Sequence, residues 1–150
     1  MSKNTYLTLA GICSLSAAAL HIGVIFGGPD WYRAFGAGEA MAAMAQAGSI
    51  TPTLITLFIT GVLTGWGLYA LSGAGVIRRL PLLRSFLCII CGIYCIRGMF
   101  GAVLPFISNA PEVQALGISF WLWSSGICLA IGLFHVVGLV QVWPQLSHKH

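Results

Sequence analysis

Four stretches of this chain, residues 6–26, 52–71, 85–104 and 117–142, run on with almost no charge. Each has the roughly 20 residues that a helix needs to cross the hydrocarbon core of a bilayer. Only 7% of the 150 residues are charged and 58% are hydrophobic, whereas a soluble domain carries about 25% charge. The expected fold is therefore all-α: one integral membrane domain over 1–150, a four-helix bundle with an interfacial helical segment between spans 1 and 2. The first 20 residues, with Lys3, an apolar run and Ala17-Ala18-Ala19, have the make-up of a signal peptide. The apolar run continues through Phe26, longer than a signal h-region, and reads as a retained first span.

Helix punctuation marks the ends of the spans. Thr51 is expected to cap the second, with Pro52 at its first position. Ser72-Gly73 should close it, and Pro105 and Pro144 should follow the third and fourth. Orientation follows from Lys and Arg, which favour the cytoplasmic side. With four crossings, Lys3, Arg78, Arg79, Arg84 and Lys149 share one side, and Arg33 stands on the other. Both termini are expected to be cytoplasmic, with Asp30, Glu39 and Glu112 outside. The net charge of +4 is this topology signal and does not point to nucleic acid.

Residues 27–48, G-G-P-D-W-Y-R-A-F-G-A-G-E-A-M-A-A-M-A-Q-A-G, hold two of the three acids. Asp30 is expected to cap a short helix from Trp31, Gly36-Ala37-Gly38 to break it, and 39–47 to form a second helix. The segment should lie along the outer interface, with Trp31 and Phe35 facing lipid or the bundle.

Small or polar stripes recur at helical spacing: Ala10, Ser14, Ala17 and His21; Thr53, Thr56, Thr60 and Thr64 beside Gly61-x-x-x-Gly65; Cys88, Cys91, Cys95 and Gly98; Ser125, Cys128, Gly132 and His135. Small residues let helices approach closely in lipid, and hydroxyls bond between them. Arg97 is the one formal charge inside a span, a placement that costs roughly 3 to more than 10 kcal/mol without relief. It needs a partner, and Glu39 is the expected one. His21, in the outer half of span 1, completes an outward-facing polar pocket of His21, Asp30, Arg33, Glu39 and Arg97.

Other chemistry is weakly supported. His21 and His135 fall roughly 7 Å and 8 Å on opposite sides of the midplane at 1.5 Å per residue, so they do not share one haem. Cys88, Cys91 and Cys95 line one face, a set of soft ligands for copper or zinc, yet cysteine is also an ordinary small core residue. No cofactor or metal is assigned. The tail Ser147-His148-Lys149-His150 reads as frayed. Gly36-x-Gly38 lacks the third glycine and the preceding strand of a dinucleotide fold.

The phrases H-I-G-V-I-F-G-G-P-D-W-Y-R-A-F-G-A-G-E (21–39), Y-A-L-S-G-A-G-V-I-R-R-L-P-L-L-R (69–84) and I-R-G (96–98) resemble a group of small four-span bacterial inner-membrane proteins. The layout is also loosely similar to DoxX-like four-helix membrane proteins. The resemblance implies a bacterial inner membrane and brings no catalytic residue. The expected function is binding of a small anionic or amphiphilic ligand, a lipid headgroup or a quinone, in the outward pocket. The alternative is an accessory or assembly subunit, whose lipid face meets a second copy or a membrane-complex partner. An enzyme using His21 and Glu39 as acid and base ranks below both, since no nucleophile accompanies them.

Overall fold

The computed structural model describes residues 3–147, the backbone alone at Ser147. Lys149 and the histidines of the tail lie outside the described residues. Five helices follow in order: α1 Thr5–Ala34, α2 Glu39–Gln46, α3 Thr51–Gly73, α4 Leu83–Ile107 and α5 Pro111–Ser147. Helices α1, α3, α4 and α5 are long and apolar enough to cross a membrane, which makes this a multi-pass helical bundle. Helix α1 packs beside α3 and α5, and α4 beside α5 and α3. The spans thus form a ring in which each sequence neighbour is also a spatial neighbour. Helix α2 covers α1 and α3 at one end.

Glycines set the closest crossings. A Cβ on Gly11 would stand 3.1 Å from the Gly67 carbonyl oxygen, and one on Gly67 would stand 3.1 Å from the Gly11 oxygen. The α1–α3 seam is therefore backbone on backbone. Gly98 lies against Leu129, and Gly132 against Cys95 and Tyr94, along the α4–α5 seam. By contrast, Gly61 and Gly65, the glycine pair singled out in the sequence, open onto empty space.

The threonine stripe of α3 also differs from expectation. The hydroxyls of Thr56, Thr60 and Thr64 donate to the carbonyls of Pro52, Thr56 and Thr60 at 2.8 Å each. They turn back on their own helix, as a hydroxyl in lipid does when no neighbouring helix offers a closer acceptor. A shorter cross-helix contact joins α1 to α4, where the Ser14 and Tyr94 hydroxyls, both buried, meet at 2.9 Å. Tyr94 stacks on fully buried His135, with ring centroids 5.3 Å apart. The His135 Nδ1 lies 2.9 Å from the Ile131 carbonyl.

The start of α1 and the end of α5 meet the α3–α4 connection. The Asn4 backbone N–H donates to the Ala74 carbonyl at 3.0 Å, its side chain caps α1 through the Leu7 N–H at 2.8 Å, and the Arg79 guanidinium donates to the Leu146 carbonyl at 3.1 Å. The opposite end holds α2 and the α4–α5 connection.

Several boundaries move from the expected places. Helix α3 begins at Thr51, with no side-chain cap and Pro52 in its first turn. Pro105 and Pro144 lie inside the last turns of α4 and α5 rather than beyond them. A proline near a helix end removes a hydrogen bond from a ladder that is about to stop anyway. Helix α5 starts at Pro111, with a break at Gly117 (φ 76°, ψ 157°), so part of the expected loop is helical.

Candidate functional site

The break in α1 builds the site. Gly28 takes φ 67° and ψ −153°, a conformation that only glycine adopts readily. Pro29 then starts a second leg with its preset φ. The leg folds back, so that the Trp31 indole lies across the bare face of Gly27, where any Cβ would collide with it. Asp30 falls within this leg, 93% exposed, bonded to Arg33, and is not a cap. Tyr32, on the other face, is 2% exposed and packs with Val24 and Ala42. Gly36 and Gly38, at φ 81° and 88°, make the break before α2 that the sequence predicts.

Between α1, its second leg, α2 and α3 lies a cavity of about 290 Å³. Leu20, Val24, Phe35, Met41 and Ile59 make its apolar walls, and His21, Tyr32 and Thr56 supply its polar groups. His21 Nδ1 lies 2.7 Å from the Ala17 carbonyl, an oxygen that can only accept. Nδ1 therefore carries the proton of the neutral ring, and Nε2 keeps a lone pair for a donor. The Tyr32 hydroxyl lies 3.4 Å from Thr56 Oγ1. The cavity, open on one side, thus offers an acceptor and a phenol between apolar walls.

The charged residues are placed otherwise than expected. Glu39 pairs with Arg33 and not with Arg97. Arg33 Nε and a terminal nitrogen each donate to a Glu39 oxygen at 2.8 Å, a fork on a fork. The other terminal nitrogen reaches Asp30 Oδ1 at 3.1 Å. The reason is local. The short Gly36–Gly38 turn returns the first residue of α2 to the guanidinium on α1. The guanidinium's hydrogen bonds hold the Glu39 carboxyl below its ordinary range, so Glu39 keeps its charge to a lower pH than an isolated glutamate would. The cluster is exposed and ties α2, and with it the Met41 wall, to the second leg of α1. Glu39 does not line the cavity that His21 lines, so the two are not an acid–base pair there.

Arg97 stands apart from both. It lies exposed on α4, its guanidinium carbon 5.4 Å from the Trp121 ring of α5. The single pocket expected of His21, Asp30, Arg33, Glu39 and Arg97 is therefore three places: a cavity at His21, a surface fork at Arg33, and a seam at Arg97. Tyr32, Thr56, Trp121 and Ser125 also belong to these places, though the sequence does not mark them as site residues. Gly27-Gly28-Pro29 was the available signal for Tyr32, since a sharp reversal there brings its ring back onto Val24.

The cysteines do not share one environment. Cys88 is exposed, Cys95 half-buried, and Cys91 buried among Leu7, Leu87 and Leu139. Among the described residues no three His, Cys, Asp or Glu side chains are placed to hold a metal ion. Compared with protein-family models, curated proteins and solved structures, the chain finds no match in any of the three.

Proposed function

We propose that this is a four-span protein of a bacterial inner membrane that binds a small amphiphile in the His21–Tyr32–Thr56 cavity, a quinol or quinone rather than an anion. The observation that carries the reading is the cavity's make-up. It has an imidazole acceptor and a phenol set among Leu20, Val24, Phe35, Met41 and Ile59, with no cation on its wall. Arg33, which would serve an anionic head, is already engaged by two carboxylates. A quinol hydroxyl can donate to His21 Nε2, a quinone carbonyl can accept from Tyr32, and the ring can lie against Phe35 and Met41. Short-chain ubiquinol added to the purified protein tests this. Ligand at 100 times its Kd stabilises a protein by about 2.7 kcal/mol, so a clear rise in Tm is expected in the wild type and none in His21→Leu. Equal shifts in the two proteins would remove His21 from the site.

In the orientation proposed with it, the end carrying Lys3, Arg78, Arg79 and Arg84 faces the cytoplasm and α2 faces outward. On a cysteine-free background, Val76→Cys is expected to be shielded from an impermeant thiol reagent in intact cells, and Asn109→Cys to react. The reverse pattern would invert the topology.

A further inference from the structure

We propose that Arg97, Trp121 and Ser125 form a second site, on the lipid-facing seam of α4 and α5, for the anionic head of an acyl-chain lipid. The starting point is a charge within a span that lacks a counter-charge. Arg97 makes no ion pair among the described residues. Of the three acids, Asp30 and Glu39 are held by Arg33, and Glu112 lies on the groove beside Arg33 and Glu39. The balancing anion must come from outside the chain, because a lone guanidinium in hydrocarbon is costly.

Ser125 is the second group at the seam. It is 1% exposed, and its hydroxyl has no hydrogen-bond partner. A buried hydroxyl left so is uncommon and unfavourable. Both groups crowd the same missing side chain: a Cβ on Gly101 would run into the Arg97 guanidinium and stand 2.5 Å from Ser125 Oγ. Gly101 is thus a notch in α4, floored by a hydroxyl and covered by a guanidinium that lies toward Trp121. A guanidinium that swings off Gly101 to meet an anion uncovers the hydroxyl, which then donates to the same head. A carboxylate or phosphate takes both donors.

Depth and surroundings fit a lipid. Gly101 lies about 9 Å from the midpoint of α4 at 1.5 Å per residue, inside a hydrocarbon half-thickness of about 15 Å. Arginines at such depth draw heads inward by snorkelling and local thinning. One and two turns back from Arg97, Ile93 and Ile89 are 42% and 55% exposed, an apolar track along which an acyl chain lies when its head sits at the notch. The anionic head could come from a phospholipid or from a free fatty acid.

Native mass spectrometry of the purified protein with phosphatidylglycerol, oleate or phosphatidylcholine tests the site and separates these sources. One tightly held phosphatidylglycerol or oleate is expected, with at least tenfold preference over phosphatidylcholine. Arg97→Gln should lose that preference, whereas His21→Leu and Arg33→Gln should keep it. Preference for phosphatidylglycerol identifies a phospholipid head, and preference for oleate a fatty acid. Should Arg97→Gln fail to fold, Ser125→Ala decides, with an expected weakening of about threefold. Wild-type protein that holds all three lipids alike, or a preference that survives Arg97→Gln or is untouched in Ser125→Ala, would overturn the proposal.

Discussion

Gly67→Leu is expected to destabilise the protein by about 3 kcal/mol, while Gly65→Leu, two residues away, costs nothing and gains up to about 1 kcal/mol of helix propensity. A side chain at Gly67 meets Leu15 at 2.7 Å and the Gly11 carbonyl oxygen at 3.1 Å. Leucine can change rotamer, but a helix carbonyl cannot move without its helix. The α1–α3 seam has to open, and overpacking of that kind costs roughly 1–3 kcal/mol or more. At Gly65 an added side chain meets nothing within 4 Å, and it enters surroundings as apolar as itself. With about 2–4 °C per kcal/mol for a chain of this size, the Gly67 variant should melt roughly 6–12 °C lower in detergent. The opposite ranking, with Gly65 the sensitive position, would mean that the Gly61–Gly65 face is packed and the seam is not where it is placed here.

Gly28→Ala is expected to cost roughly 1–3 kcal/mol and to abolish the ubiquinol-induced stabilisation together with it. No atom crowds the position, so the cost arises wholly from φ 67° and ψ −153°, which alanine adopts only under strain. Relaxing that strain rotates the second leg of α1 and withdraws Tyr32 from Thr56, and the cavity loses its phenol. Gly92→Ala is the matching control. It sits within α4 in open space, where alanine should gain up to about 1 kcal/mol of helix propensity. A Gly28→Ala protein that still responds fully to ubiquinol would show that the kink does not shape the site.

The spans were legible because each is a long uncharged run, and lipid leaves such a run little choice but a helix. The break at Gly36–Gly38 was legible too, since two glycines two residues apart offer positive φ cheaply. Partners were not. Glu39 had two arginines to choose from, and composition cannot say which one a six-residue return brings within 2.8 Å. Depth along the helix makes Glu39 a candidate partner for Arg97, but depth says nothing about rotation, and the structure leaves Arg97 exposed beside Trp121. The glycine pair at 61 and 65 has a familiar spacing, yet the close crossing uses Gly11 and Gly67, which become a pair only when two helices are laid together. Thr56, Thr60 and Thr64 show the same limit: a hydroxyl stripe reads alike whether it bonds across or back.

Photolabelling by a diazirine-bearing ubiquinol analogue, with the modified residue located by peptide mass spectrometry, reports where the ligand sits. Binding in the His21 cavity should give saturable adducts on Leu20, Met41 or Ile59, competed by unlabelled ubiquinol and reduced in His21→Leu. Adducts spread over outward-facing residues such as Phe58 and Val140, with no competition, would contradict it.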